Sequence, residues 1–305
     1  MNRTSPEQAR PFPPVPDVEH RYVDIGGVTL HVAEAGRGEP VLLLHGFPQH
    51  WYAWRRIVPL LSDRYRLVIP DLRGFGWSDA PAHGYDTGTR ADDVLALMDA
   101  LDLPTVRLIG HEWGAWVGFT LCLRAPERFR QFLALNIVHP WPLHRRLAPR
   151  SWRFWYTALL EAPLLGRHLL RHRPGFTRYL LRRGVVDQAV WADGALEEFV
   201  SSSAAPGSAR AGEALHRAFA LRDVAALALG RYRGLRLSTP THLLTGEDDF
   251  VLPPAVLAGG ERNADALHTT AVPRSGHYLH EEQPELVAAA AVALFEGPAA
   301  ASGVR

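Results

Sequence analysis

Cysteine is almost absent from this sequence: one residue, Cys122, occurs among 305. A single thiol excludes an intramolecular disulfide framework and leaves no cysteine cluster for a metal ion. Its neighbours, Phe119-Thr-Leu-Cys-Leu, are mostly apolar and indicate a thiol that packs in the core and has no chemical role. We therefore expect neither a metal site nor a cofactor.

Two further absences concern charge and long hydrophobic runs. Basic and acidic residues nearly balance (33 against 32), which argues against a nucleic-acid partner. Arginines between residues 144 and 183 alternate with Leu, Trp and Tyr, which is typical of amphipathic helices whose arginines lie on the solvent-exposed face. No apolar run is long enough to cross a bilayer, and residues 1–16 lack a signal-peptide core. These features predict a cytoplasmic protein without a membrane partner, either a monomer or a homodimer.

Hydrophobic residues make up 47% of the chain, and they form short runs that alternate with helical patterns. This alternation is typical of an α/β protein with a mostly parallel sheet. Residues 22–25 and 30–35 predict an opening hairpin. The predicted buried strands are 41–44, 67–70, 106–109, 132–138, 241–244 and 268–272. The predicted helices are 51–61, 90–101, 113–124 and 284–295.

The strand pattern stops between His139 and Gly234, where Trp, Arg and Leu recur at helical spacing. Within it, 201–212 is rich in Ser, Ala and Gly and predicts a flexible loop. An insertion here would cover the carboxyl ends of the strands, where open sheets bind ligands. We therefore divide the chain into an extended or disordered segment (1–20), a core (21–138 and 235–297), a helical cap or lid (139–234) and a flexible tail (298–305).

The segment Gly110-His-Glu-Trp-Gly114 follows a predicted strand and precedes a predicted helix. This is the context of a nucleophile elbow, in which glycines permit a strained turn that points the central side chain into a pocket. Glu112 stands where serine is usual. The alternative is a solvated carboxylate at a helix N-terminus. A second match, 84–88, has no strand before it, and we interpret it as accidental.

Acid and histidine candidates follow in the order that this elbow requires. Asp249 lies in Gly246-Glu-Asp-Asp-Phe, directly after a predicted strand, and Asp248 is its rival for the role of the acid. His277 lies in the loop after the last predicted strand; one of 15 histidines means little alone, but this position means more.

An oxyanion hole is predicted beside the elbow. The turn His45-Gly-Phe-Pro48 ends a predicted strand and offers the backbone N–H of Phe47, while Trp113 offers a second N–H. The simpler alternative is that this turn only ends the strand.

Three stretches, 45–55, 71–79 and 110–114, resemble the epoxide hydrolase branch of the α/β-hydrolase superfamily, and the resemblance covers nearly the whole chain. It implies an α/β-hydrolase fold with an eight-stranded sheet and a helical lid. It also implies two lid tyrosines that donate to the epoxide oxygen. Tyr156, seven positions before Pro163, matches the first, and Tyr232 in Arg231-Tyr-Arg233 matches the second more loosely; each is otherwise a packing aromatic.

A Trp-rich lid implies a small hydrophobic substrate, for which Trp51, Trp113 and Trp155 are the predicted contacts. The family has aspartate at the elbow, whereas this chain has glutamate, one methylene longer. We expect a covalent ester on Glu112 that water, activated by His277, then cleaves. Three alternatives stay open: dehalogenation of an alkyl halide, Glu112 acting as a base in a hydrolase or lyase, and a ligand-binding homologue without catalysis.

Overall fold

The structure, a computed structural model, describes residues 10–142 and 148–297. It contains a sheet of eight strands in the order β1-β2-β4-β3-β5-β6-β7-β8. The strands are β1 (Val18–Asp24), β2 (Thr29–Ala35), β3 (Glu39–Leu44), β4 (Tyr65–Pro70), β5 (Val106–His111), β6 (Phe129–Leu135), β7 (Thr241–Gly246) and β8 (Leu267–Val272). β1–β2 and β2–β4 pair antiparallel, and every other pair is parallel. The predicted α/β-hydrolase fold with a mostly parallel eight-stranded sheet is confirmed.

Both faces of the sheet are covered, which explains why its central strands are continuous apolar runs. Along β3, Leu42 and Leu44 contribute to the core on one face, whereas Val41 and Leu43 contribute to the core on the other. Successive side chains of a strand point to opposite faces, so all four are fully buried.

The α-helices flank the sheet or lie above its edge. They are α1 (Val58–Leu61), α2 (Thr87–Ala100), α3 (Trp113–Arg124), α4 (Trp155–Glu161), α5 (Leu165–His172), α6 (Pro174–Arg183), α7 (Ala195–Ser203), α8 (Pro206–Ala218), α9 (Val224–Ala228), α10 (Leu279–Glu282) and α11 (Pro284–Glu296). Short 3₁₀ helices span Trp51–Trp54, Pro126–Arg128, Ala148–Phe154, Gln188–Trp191, Pro254–Val256 and Gly260–Asn263, and a π turn spans Phe219–Asp223. None of the helices in the described ranges combines the length and the apolar character that crossing a bilayer requires.

Between β6 and β7 the described chain contains helices, turns and one isolated β-bridge (Leu237 with Ala264), and we call residues 148–234 the cap. The prediction of a flexible loop at 201–212 is wrong. Its residues end α7 and begin α8. Its small residues serve close packing: a Cβ on Gly212 would lie 2.8 Å from Leu170 and 2.9 Å from the Phe47 ring. In this segment the small residues permit close packing and do not make the chain flexible.

Two other local predictions need correction. The segment 51–61 is interrupted and forms a 3₁₀ turn followed by α1. Residues 18–20 of the predicted extended or disordered segment are extended in β1 and pair with β2, so the sheet begins inside that segment. Residues 1–9 and the tail 298–305 lie outside the described residues.

Candidate active site

The elbow between β5 and α3 holds Glu112 in a backbone conformation that side chains rarely adopt, with φ +49° and ψ −117°. Such strain persists only where the surrounding structure enforces it, and it clusters at functional sites. Glycines make the turn fit: a Cβ on Gly114 would lie 2.2 Å from the Leu44 carbonyl oxygen, and one on Gly110 would lie 2.8 Å from the Cα of Ala115.

The Glu112 carboxylate occupies the predicted oxyanion hole. The backbone N–H of Phe47 donates to Oε2 over 2.7 Å, and the backbone N–H of Trp113 also bonds to the carboxylate. Gly46 leaves room for it, since a Cβ there would lie 2.6 Å from Oε2. With Oε2 held in this way, the second oxygen is the one left to react.

The protonation of Glu112 is set by opposing influences. Desolvation by the surrounding protein raises the pKa from 4.5 to about 7, and the charge of His277 and the N–H donors of Trp113 and Phe47 only partly counter it. A carboxylate with this pKa is partly ionised at neutral pH and is poorly stabilised by solvent. Both properties suit a group that reacts as an anion.

His277 and Asp249 form a buried pair at the ends of β8 and β7. His277 Nδ1 lies 2.9 Å from Asp249 Oδ2. Asp248, the rival for the acid, is exposed, and it is Asp249 that bonds to His277. Because the Asp249 carboxylate can only accept, Nδ1 carries the proton and Nε2 is left to act as a base.

Asp249 is fixed by several donors. Its Oδ1 accepts backbone N–H bonds from Val251 (2.7 Å) and Leu252 (3.0 Å), and its Oδ2 accepts from Asn136 Nδ2 (3.0 Å). Asn136, at φ +47° directly after β6, also donates to the Gly276 carbonyl (3.0 Å). Asn136 therefore ties the acid loop to the histidine loop, a role that the sequence analysis missed.

The pKa values of this pair move apart in the directions expected for an ion pair. Burial alone would raise the pKa of Asp249, but the charge and hydrogen bond of His277 outweigh it and lower the pKa. Burial alone would lower the pKa of His277, but the charge and hydrogen bond of Asp249, with the charge of Glu112, raise it. Asp249 thus stabilises the imidazolium that forms when His277 takes a proton.

Glu112 and His277 line one cavity of about 410 Å³ under the cap. Its wall is mainly apolar and comes from the core, from α4 and its preceding turn, and from α8 and α9. A much smaller pocket, which we call the arm, shares Glu112, Tyr156 and His277 with this cavity and is also lined by Pro48 and Leu180. A mostly apolar pocket with a few convergent polar groups is the usual form of a small-molecule site.

Tyr156 of α4 lines both the cavity and its arm, together with Glu112 and His277. Burial raises the pKa of its phenol, and the negative charges of Glu112 and Asp249 raise it further. The phenol therefore keeps its proton and is available as a donor beside the carboxylate.

Three other predicted site residues lie elsewhere. Tyr232 does not line the cavity, and its ring packs near Trp116 (6.2 Å between centroids). Trp51 is fully buried in the core beyond the sheet, so it cannot reach a substrate. Trp155 is 46% exposed on the outside of α4. Neither Trp51 nor Trp155 lines the cavity, whereas Trp113 does.

Two residues in the cavity wall were not predicted. Tyr278 lines the arm and is almost fully buried, and its position directly after His277 was an available signal. His216 of α8 lines the cavity and its arm, but nothing distinguishes it in the sequence from the other histidines. Within residues 10–142 and 148–297, no group of three His, Cys, Asp or Glu side chains is arranged to hold a metal ion.

Comparisons with known proteins agree with this geometry. The family model described as alpha/beta hydrolase fold matches residues 39–284. The AB hydrolase superfamily protein YfhM of Bacillus subtilis is 30% identical over 288 residues, which cover 88% of this chain and 95% of that protein. A soluble epoxide hydrolase of Corynebacterium sp. is 27% identical over 305 residues, which cover 92% and 98%. The crystal structure of Cfl2 from Burkholderia cenocepacia superposes with a TM-score of 0.80 at 31% identity, covering 92% and 96% of the two chains.

A strained acidic elbow, a buried Asp–His pair and a covered apolar cavity are the parts of a hydrolase site, and the comparisons extend over most of the chain. The chain therefore belongs to the α/β-hydrolase family, with epoxide hydrolase-like relatives, and is an enzyme of the hydrolase type.

Proposed function

We propose that this protein opens a small hydrophobic epoxide to a vicinal diol through a covalent ester on Glu112. The observation that carries the proposal is the position of Glu112. One carboxylate oxygen lies in the oxyanion hole, and the side chain shares a cavity with the His277–Asp249 pair and with Tyr156.

In the first step the free oxygen of Glu112 attacks one carbon of the epoxide ring. The carbon–oxygen bond breaks, its electron pair goes to the ring oxygen, and the Tyr156 hydroxyl gives its proton to that oxygen. Tyr278 lines the same arm of the cavity, and we assign to it the second phenol, in place of Tyr232. The product is a hydroxyalkyl ester of Glu112.

In the second step His277 Nε2 takes a proton from water, and the water oxygen attacks the ester carbonyl. The Phe47 and Trp113 N–H groups then bind the oxyanion where Oε2 now lies. Collapse releases the diol: the proton that His277 took from water goes to the departing oxygen, and the second proton of the water, left on the Glu112 carboxyl, returns to the tyrosinate. The net change is addition of one water molecule to the epoxide.

Dehalogenation is less well supported. A departing halide needs side-chain N–H donors, but Nε1 of Trp113 is enclosed by protein and has no hydrogen-bond partner among residues 10–142 and 148–297, and Phe47 has no polar side-chain atom. The apolar cavity with the Tyr156 phenol fits a neutral ring oxygen better. Release of halide ion from chloroalkanes at a rate above that of diol formation would reverse this preference.

The central experiment traps the ester. The variant His277→Gln is mixed with styrene oxide, and the peptide that contains Glu112 is examined by mass spectrometry. We expect a mass increase of one epoxide molecule on Glu112, because attack is retained and hydrolysis is not. The double variant Glu112→Gln/His277→Gln is the matched control and should remain unmodified.

A second measurement separates a nucleophile from a base. After turnover of the parent protein in ¹⁸O-water, the label should appear in the Glu112 carboxylate, because ester hydrolysis exchanges one of its oxygens. Diol formation without label in Glu112 would mean that Glu112 acts as a base. If no adduct and no diol form, and Glu112→Asp gains diol formation, the native chain is a ligand-binding homologue rather than an epoxide hydrolase.

A further inference from the structure

Several polar side chains of the cavity wall that lie away from Glu112 can offer a ligand only hydrogen-bond acceptors. The Ser151 hydroxyl donates to the Ala148 carbonyl (2.9 Å), and the Thr157 hydroxyl donates to the Phe154 carbonyl (2.8 Å). Since each hydroxyl has one proton, the oxygens of Ser151 and Thr157 can only accept a hydrogen bond from a ligand.

His216 is an acceptor for the same reason. Its Nδ1 lies 2.7 Å from the Gly212 carbonyl oxygen, so Nδ1 carries the ring proton. Burial lowers the pKa of His216 to about 4, and the ring is neutral in the physiological range. Nε2 therefore presents a lone pair. It has no hydrogen-bond partner among the described residues, and it is not enclosed as Nε1 of Trp113 is.

The orientation of this imidazole is fixed. Its ring meets the rings of Phe47 (4.7 Å) and Trp113 (5.4 Å) edge to face, and α8 holds the carbonyl of Gly212 in place. Phe47 and Trp113 are the two oxyanion-hole residues, so His216 stands beside the place where the epoxide must bind.

Apart from His277 and Tyr156, which the proposed reaction uses, and the enclosed indole of Trp113, the described side chains of the wall add no hydrogen-bond donor. Glu161 contributes a carboxylate, which also only accepts, and within the described part of the chain no Arg or Lys lines the cavity. A ligand group that itself only accepts, such as an ether, ketone or carboxylate, would lie against unsatisfied acceptors. A hydroxyl or N–H group would satisfy them.

We propose that the cavity selects epoxides that carry a hydrogen-bond donor, a hydroxyl or N–H group, on a carbon next to the ring, and that His216 Nε2 is the acceptor that recognises it. This inference rests on the proposed function, because it names the substrate class of the same site.

The test compares three substrates of the same skeleton: 3-phenylglycidol, its O-methyl ether and 3-phenylglycidate. They differ only in offering a donor, a neutral acceptor or an anion. We expect kcat/KM to be roughly 2- to 10-fold higher for the alcohol than for the ether, the range of one net hydrogen bond, and lowest for the carboxylate. Equal values for alcohol and ether in the parent protein would overturn the inference.

Variants assign the preference to one residue. His216→Phe should bring the alcohol-to-ether ratio close to one, whereas His216→Gln, which keeps a side-chain acceptor, should retain part of it. His172→Phe is the matched control, since His172 is exposed on the outer cap, and its ratio should equal that of the parent. A ratio that survives in both His216 variants would show that another group recognises the donor.

Failure of the proposed function and failure of the inference about His216 give different results. No diol from any of the three substrates, and no adduct in the trapping experiment, would reject the proposed function. Formation of diol from the alcohol and the ether with equal kcat/KM would reject only the inference that the cavity selects a donor through His216.

Discussion

Replacement of Glu112 by glutamine should stabilise the folded protein at alkaline pH. The folded state holds this carboxyl at a pKa of about 7, against 4.5 in an unfolded chain. Each tenfold change in proton affinity corresponds to about 1.4 kcal/mol, so the ionised side chain lowers the free energy of unfolding by about 3 kcal/mol above pH 7. Because the folded-state pKa is raised, the folded state binds the proton more tightly, and stability is lost as the pH rises from 4.5 through 7.

Glutamine has the same shape and no charge, and its carbonyl oxygen can occupy the oxyanion hole. The advantage of Glu112→Gln over the parent should therefore grow by about 2.5 kcal/mol between pH 5 and pH 8. Urea unfolding followed by circular dichroism at both pH values measures it. Asp248→Asn is the control: it removes an exposed carboxylate one residue from the catalytic acid, and it should change the stability by less than about 0.5 kcal/mol at either pH.

A constant difference between Glu112→Gln and the parent at pH 5 and pH 8 would refute the reasoning, since it would mean that Glu112 titrates alike in the folded and unfolded states. A variant less stable than the parent at pH 8 would refute it more strongly. The expected result would show that the folded protein retains a destabilising charge at the site where we propose that it reacts.

Further predictions concern pH and the elbow. Formation of the ester should rise at least about tenfold from pH 6 to pH 8, because only ionised Glu112 attacks. Stopped-flow kinetics of His277→Gln measures it, and the midpoint should lie at or above 7, since this variant lacks the His277 charge that lowers the pKa of Glu112. A flat profile would contradict the raised pKa of Glu112. Gly114→Ala should lower the free energy of unfolding by at least about 2 kcal/mol and abolish diol formation, because its Cβ would lie 2.2 Å from the Leu44 oxygen. Gly175→Ala, a helical position with open space, should leave both unchanged or slightly raise the stability, and equal effects of the two substitutions would contradict the steric argument.

The cap shows where local patterns misled. Small residues at 201–212 suggested flexibility because composition cannot reveal what a glycine packs against. In the structure Gly212 lies against Leu170 and Phe47, and its carbonyl orients His216. Tyr232 matched a loose motif in the sequence, but in the structure its ring packs near Trp116 and it does not line the cavity.

The sequence by itself determined the strands, the elbow and the order of acid and histidine. These depend on features that are local: short continuous apolar runs, glycines where a Cβ cannot fit, and loops directly after strands. Tertiary structure alone decided that Asp249 rather than Asp248 pairs with His277, and that Asn136, Tyr278 and His216 join the site. Contacts between residues more than 100 positions apart, such as Asn136 with Asp249, arise only when parallel strands bring their carboxyl ends to one edge of the sheet.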